Sequence, residues 1–253
     1  MTTHPIGDTA VLLGRSLRHV VRSPDTILTT AIMPIAIMLM FVYVFGGAID
    51  TGTASYLQYM LPGILLITIA SGVTYTAYRL FLDMDSGIFE RFQSLPIARP
   101  AVMWAHVLTS LVANLTSLAI VVLVAHLMGF RSGAIAAWLP VAGILILFTL
   151  AVTWLAVIAG LSATSVDGAS AFAYPLIFLP FVSSAFVPTD TMPGPVRAFA
   201  EHQPVTSIVN VIRDLFAQQP LGSDVWLALA WCLGALVVAY AFAMAAYRRK
   251  FTR

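Results

Sequence analysis

Apolar residues along this chain are gathered into six long stretches, which shorter polar segments separate. A helix needs about 20 mostly apolar residues to cross the hydrocarbon of a membrane. The fifth stretch is the shortest, and the others reach or exceed that length. The pattern predicts an all-α integral membrane protein with six transmembrane helices. They are expected at residues 27–47, 56–82, 101–128, 135–161, 169–187 and 225–247.

The composition excludes a soluble globule. Hydrophobic residues make up 60% of the chain and charged residues only 9%, whereas soluble domains carry roughly 25% charged residues. The single cysteine, Cys232, allows neither an intrachain disulfide nor a multi-cysteine metal site. The net charge of +2 gives no support for nucleic-acid binding.

The basic residues are distributed unevenly between the two sides of the predicted membrane. With both termini in the cytoplasm, only Arg131, Arg197 and Arg213 lie outside, which leaves ten of the thirteen Lys and Arg residues inside. Basic residues favour the cytoplasmic side of membrane proteins. We therefore expect cytoplasmic termini and a cytoplasmic segment at residues 83–100.

Residues 9–22 have helical spacing with one apolar and one basic face. This pattern predicts an amphipathic helix on the lipid surface. A plain basic topology signal is a compatible alternative. The apolar residues are Leu13, Leu17, Val20 and Val21, and the basic ones are Arg15, Arg18 and Arg22.

The residues within the predicted spans disfavour a transporter powered by ion coupling. Ion-coupled carriers usually place ionisable residues within the membrane, but the predicted spans contain no Asp, Glu, Lys or Arg apart from Arg79. A phosphate-binding P-loop ends in Gly-Lys-Ser/Thr, and the only lysine, Lys250, follows Arg249. The sequence also contains no H-E-x-x-H motif, the zinc-binding motif of metalloproteases. An ATPase, if one is used, must be a separate polypeptide.

Residues 83–100 combine charge with helical apolar spacing. Asp85 or Ser86 can cap a short helix, and Pro96 ends it. A face made by Ile88, Phe89, Phe92 and Leu95 could dock into a groove on a partner or lie on lipid, and the pattern alone favours neither.

The stretch DMDSGIFERFQSLPIARP resembles the cytoplasmic signature of type-2 ABC transporter permeases, nearest to daunorubicin-resistance-like exporters. The resemblance implies a coupling helix that docks on a separate ATP-binding subunit. That subunit would bind ATP and Mg²⁺, and this chain would bind no cofactor and no metal. The implied coupling residues are Asp85, Gly87, Ile88, Phe89, Glu90, Arg91, Phe92, Leu95 and Pro96.

Residues 188–224 also resemble this family, through the segment from Pro188 to Pro193, a short helix, Pro204 and Arg213. The resemblance implies re-entrant helices in the outer leaflet that cap the translocation path. A surface-lying amphipathic helix is the alternative. The apolar face consists of Val205, Ile208, Val209, Ile212, Leu215 and Phe216.

Two sets of residues are candidates for a cargo path. One is a polar and aromatic face on the second span. The other is an aromatic wall on the fifth, where Pro175 and Pro180 predict a break. Packing between helices is the alternative for each residue, and we assign a third stripe, Ser110, Asn114 and Ser117, to packing. The candidates are Thr68, Ser71, Tyr75, Tyr78, Tyr174, Phe178 and Phe181.

The resemblance covers almost the whole chain, and we expect residues 1–253 to form a single type-2 ABC transmembrane domain. It implies the permease subunit of an exporter for drug-like, antibiotic or lipid cargo in a bacterial-type cell membrane. Two ATP-binding subunits and a second permease, identical or not, would complete the assembly. A polysaccharide-exporting permease, an ion-coupled carrier and a membrane enzyme are the alternatives.

Overall fold

The computed structural model describes residues 24–49, 51, 55–87 and 99–251. Every regular element in these ranges is helical, which confirms the all-α class. The helices are α1 (Pro24–Met40), α2 (Tyr56–Asp85), α3 (Arg99–Leu127), α4 (Trp138–Ser162), α5 (Val166–Ala171), α6 (Ala173–Phe178), α7 (Gly194–His202), α8 (Pro204–Ala217) and α9 (Asp224–Phe251). A π-helical turn, Phe41–Phe45, extends α1, and short 3₁₀ turns occur at Ile135–Ala137, Leu179–Val182 and Thr189–Thr191.

Four helical segments of the described chain are long and apolar enough to cross a membrane. They are Tyr56–Asp85, Val102–Leu127, Ile135–Ser162 and Asp224–Lys250. The first and fifth predicted spans correspond to shorter apolar helical stretches, Thr30–Phe45 and Val166–Val182. The count of six spans therefore remains a prediction. The interfacial helix expected at residues 9–22 lies outside the described residues.

Helix α2 forms the centre of the bundle. Helices α1, α3, α4, α5, α6 and α8 all pack against it. Its middle turns are inaccessible to solvent, with Ile64, Leu65 and Ile67 fully buried. Because lipid is as apolar as these side chains, close packing is what holds such helices together. The segments of the chain that continue from either end of α2 are therefore anchored to the whole bundle.

A second core cluster lies where α2 and α4 end and α3 begins. Leu80, Val102, Trp154 and Tyr247 belong to it, and Lys250 Nζ donates a hydrogen bond of 2.9 Å to the carbonyl of Leu161. The C-terminal part of α9 therefore lies at the same end of the bundle as the borders of residues 88–98. The predicted orientation requires this arrangement, since it places both segments on one side.

Helix α8 is an interior element. Val205, Ile208, Val209, Ile212 and Phe216 of its predicted apolar face are buried, and the helix packs against α2, α4 and α9. A helix lying on lipid would present this face to the bilayer rather than to protein. The apolar face of α8 therefore meets protein, while the placement of this helix in the outer leaflet stays a prediction.

Candidate substrate surface and coupling region

The fifth apolar stretch is interrupted, as its prolines predict. Two six-residue helices, α5 and α6, are followed by the 3₁₀ turn Leu179–Val182 and by irregular chain that begins at Ser183. Proline lacks a backbone N–H, so Pro175 and Pro180 each remove a helical hydrogen bond. We call residues 179–187 the break.

Side chains from other parts of the bundle satisfy the backbone of the break. Gln203 Nε2 donates to the carbonyls of Leu179 and Val182, at 3.1 and 2.8 Å. The Tyr56 hydroxyl donates to the carbonyl of Phe186 at 3.1 Å. Irregular backbone at membrane depth is tolerated only where such partners exist. The position of the break therefore depends on side chains that the sequence analysis did not single out.

Arg213 of α8 makes the most extensive of these contacts. Its guanidinium donates to the carbonyl of Tyr59 at 3.3 and 3.1 Å, to the carbonyl of Ser184 at 2.8 Å and to Asn210 Oδ1 at 3.2 Å. It also lies 3.8 Å from the centre of the Tyr59 ring. Burial lowers the pKa of Arg213, although an arginine keeps its charge in proteins. The signal in the sequence was a single arginine in the amphipathic helix that begins at Pro204.

Five aromatic rings connect the break with the end of α1. Phe181 stacks on Phe186 with centroids 4.8 Å apart, and Phe41 lies 4.9 Å from Phe186. Phe45 adjoins Phe41 at 5.4 Å, and Phe178 adjoins Phe181 at 6.3 Å. These separations are within the range of favourable aromatic pairs. We call this group the phenylalanine cluster.

Two of the three residues in the predicted aromatic wall therefore lie on one surface. Phe178 and Phe181 belong to the phenylalanine cluster, and 64% of the Phe178 side chain is exposed. Tyr174, one turn before Phe178 on α6, is also exposed, at 62%. An exposed ring beside a stacked ring pair offers a place where a flat apolar molecule can stack.

The polar face predicted on α2 divides into buried and partly exposed members. Thr68 is fully buried, and its hydroxyl donates to a carbonyl of its own helix. Ser71 Oγ is shielded and has no hydrogen-bond partner among the described residues. The half-buried rings of Tyr75 and Tyr78 lie 6.0 Å apart. Thr68 therefore packs in the interior, while contact of the other three with cargo stays a prediction.

The polar stripe on α3 joins α3 to α2, as the packing interpretation predicts. Thr76 Oγ1 donates to Ser110 Oγ at 2.6 Å, and Asn114 Nδ2 donates to the carbonyl of Ser110 at 2.9 Å. Ser117 is also buried. Gly72 lies against Asn114, where an added Cβ would be closer than 3.0 Å to Asn114 Oδ1. The absence of a side chain at Gly72 lets the two helices approach.

The predicted coupling region begins where α2 ends. Asp85 is the last residue of α2, and Gly87 has a φ of +72°, a conformation that favours glycine at the end of a helix. The Gly87 N–H donates to the carbonyl of Met84 at 3.3 Å. The remaining predicted coupling residues lie outside the described residues; they are Ile88, Phe89, Glu90, Arg91, Phe92, Leu95 and Pro96.

A close polar contact joins the two helices that border the coupling region. His106 Nε2 of α3 lies 3.3 Å from Asp83 Oδ2 of α2. Asp83 precedes residues 88–98 and His106 follows them, so the pair fixes the spacing of both borders. The sequence gives no signal for it, because the two positions are not related by helical spacing.

Titratable groups elsewhere in the described chain include no candidate metal site. Within the described ranges, no group of three or more His, Cys, Asp or Glu residues is placed to hold a metal ion. On α7, exposed Arg197 donates to Glu201 at 2.7 Å, which holds the pKa of that carboxyl below its ordinary value.

A family model and individual relatives all indicate the same protein family for this chain. The model of the family described as ABC-2 type transporter matches residues 8–217. The daunorubicin resistance ABC transporter permease protein DrrB1 of Streptomyces coeruleorubidus is 32% identical over 252 residues, which cover 97% of this chain and 87% of that protein. The probable doxorubicin resistance ABC transporter permease protein DrrC of Mycobacterium tuberculosis is 25% identical, with 98% and 90% covered.

The match agrees with the architecture and with the absence of a P-loop from the sequence. Several apolar helices make the chain a multi-pass membrane protein, and permease subunits of ABC transporters have no ATPase site of their own. The relatives named above are permeases of drug-resistance transporters. The chain therefore belongs to the ABC-2 type transporter family, as a drug-resistance-like type-2 ABC permease.

Proposed function

We propose that this chain is the membrane-spanning subunit of an ATP-driven exporter of planar, multi-ring drug-like molecules. The observation that carries the proposal is the similarity to a daunorubicin resistance permease over 97% of the chain. A separate ATP-binding subunit, present in two copies, would bind ATP and Mg²⁺. A second permease, identical or not, would form the other half of the path.

The proposed mechanism uses the rigid attachment of α2 and α3 to the bundle. ATP binding closes the two ATPases and displaces the helix expected at residues 88–95. The two helices carry this displacement into the bundle, because the Asp83–His106 pair joins them at that border. In this proposal, both termini are cytoplasmic, Thr30–Phe45 and Val166–Val182 complete six membrane segments, and α7 and α8 are the outer re-entrant helices.

The phenylalanine cluster supports the choice of an aromatic cargo. Its exposed ring, Phe178, continues into the stacked pair Phe181 and Phe186. Flat aromatic molecules gain from such offset and tilted ring contacts in addition to apolar burial. A long polar polysaccharide would gain little from this surface. Daunorubicin, the compound in the name of one relative, is therefore the first cargo to test.

The test is reconstitution of the chain and its ATP-binding subunit in lipid vesicles. We expect daunorubicin to accumulate in the vesicles only when ATP is added on the side of the ATPase. An ATPase with its P-loop lysine replaced is the control and should abolish accumulation. Accumulation driven by an ion gradient without ATP would contradict the proposal and favour an ion-coupled carrier.

A further inference from the structure

The charge of Arg213 is held without a direct acidic partner. Among the described residues no carboxylate lies within ion-pair distance of it. Asn210 instead links Arg213 to an acid by two hydrogen bonds. Its Oδ1 accepts from Arg213 at 3.2 Å, and its Nδ2 donates to Asp224 Oδ2 at 2.9 Å. Ser184 Oγ donates to the same Asn210 oxygen at 2.8 Å. The break, α8 and the start of α9 therefore share one hydrogen-bond network.

An arginine fits this geometry better than a lysine. A buried charge is costly unless hydrogen bonds satisfy it, and Arg213 meets that cost with two backbone carbonyls and one amide oxygen. The planar guanidinium presents several donors in fixed directions, whereas a lysine presents a single ammonium. One side chain can thus hold α2, through Tyr59, and the break, through Ser184, at a fixed separation.

The break has little freedom once Arg213 holds it. On α2, an added Cβ at Gly63 would be closer than 3.0 Å to the Cβ of Ala185, so the break lies directly against that helix. Phe181 and Phe186 flank Ser184 in the chain, and both belong to the phenylalanine cluster. Any shift at Ser184 therefore moves the rings of that cluster.

We propose that Arg213 is a positioning residue that sets the cargo range of the exporter by holding Ser184, and with it the phenylalanine cluster, against α2. This inference rests on the proposed function for the nature of the cargo. The role of Arg213 in holding the break does not depend on it. The two parts are tested by separate readouts.

The first readout is the accessibility of the break. In a Cys232→Ala background, Ser183→Cys places a thiol at a fully buried position. The hydrogen bonds of the Ser183 hydroxyl are with Pro180 and Ala185 of the break, so the reporter removes no hydrogen bond of the Arg213 network. The rate of alkylation by N-ethylmaleimide is then measured on the purified chain in lipid nanodiscs.

We expect Arg213→Gln to raise the alkylation rate at least about tenfold, because losing hydrogen bonds from a charged donor opens local structure. Arg213→Lys should give an intermediate rate. Arg197→Gln is the matched control, since Arg197 is exposed and pairs only locally with Glu201, and it should leave the rate unchanged. An unchanged rate in Arg213→Gln overturns the positioning role. If that variant does not fold, Asn210→Ala should raise the rate in its place, and an unchanged rate there overturns the role equally.

The second readout is daunorubicin affinity, followed by the fluorescence of the drug. We expect Arg213→Gln to raise the Kd by about fivefold or more, comparable with losing an aromatic contact, while binding of the ATP-binding subunit stays normal. A more reactive thiol with unchanged affinity overturns the link to cargo range. Failure of the unmodified chain to bind daunorubicin defeats the proposed cargo, while the alkylation rates still decide whether Arg213 holds the break.

Discussion

Gly72 shows how one absent side chain sets the distance between two membrane helices. Asn114 of α3 occupies the space that a side chain at Gly72 would need, and Asn114 is itself fixed by its bond to the Ser110 carbonyl. Small residues at helix interfaces allow this kind of close approach in membranes. The tightness of this contact leads to a stability prediction.

Gly72→Ala should destabilise the chain by about 1–3 kcal/mol, the usual cost of overpacking a well-packed interior. Gly143→Ala is the matched control: it also lies inside a helix, but an added Cβ there has no atom within 4 Å. Thermal unfolding in detergent compares the two. Equal midpoints for both variants would contradict a close contact between Gly72 and Asn114.

The Asp83–His106 pair gives a second prediction at this scale. Asp83→Asn should lower the number of cargo molecules transported per ATP by up to about threefold, because weakening a partly exposed polar contact by roughly 0.2–1 kcal/mol changes the equilibrium between joined and separated borders by a factor of that order. Asp167→Asn, an exposed acid on α5, is the control and should have no effect. Loss of ATPase binding in Asp83→Asn, rather than loss of coupling, would contradict the assigned role.

At the scale of elements, the break turns the fifth apolar segment into a surface rather than a plain span. Prolines end the helical hydrogen bonding, and side chains of α2, of α8 and of Gln203 between α7 and α8 replace the missing partners. The result is a rigid irregular segment that presents aromatic rings. Helical packing alone would not expose Phe178 beside a stacked ring pair.

Removal of the exposed ring tests this surface directly. Phe178→Ala should weaken daunorubicin binding about two- to tenfold, because an aromatic pair contributes about 0.5–1.5 kcal/mol beyond burial. Phe242→Ala on α9 is the matched control, since both side chains are 64% exposed. A titration of drug fluorescence measures both. Equal affinities in the two variants would show that the Phe178 ring does not contact the drug.

The coupling helix is the second element whose role can be separated from insertion. Phe92→Ala and Glu90→Lys should each weaken association with the ATP-binding subunit while leaving the chain in the membrane, because the aromatic face and its flanking charges are proposed to dock. Phe199→Ala, an exposed ring on α7, is the control. Normal association in both coupling variants would make residues 83–100 a lipid-surface segment.

For the whole molecule, the hydrophobic pattern predicted most of the helices well. The second span was expected at 56–82, and the helix is Tyr56–Asp85; the sixth was expected at 225–247, and the helix is Asp224–Phe251. Apolar length and local breakers determine such elements, because a membrane-spanning backbone must satisfy its hydrogen bonds internally. The break was predicted for the same reason, since proline acts on its own neighbours.

Long-range contacts could not be predicted in this way. Arg213 and Tyr59 are separated by 154 positions, and nothing in local spacing relates them. The burial of α8 was left open because an amphipathic helix has the same pattern whether its apolar face meets lipid or protein. The roles assigned to Ser71, Tyr75 and Tyr78 stay predictions for a similar reason: polar groups on a membrane helix serve packing and transport alike.

The most direct test of the central claim is purification of the tagged chain from its native membrane in a gentle detergent, with each co-purifying protein identified and counted. The proposed function predicts a P-loop ATPase at one copy per permease. Absence of an ATPase, under conditions in which a control ABC exporter stays intact, would contradict the claim that this chain is the membrane subunit of an ATP-driven exporter.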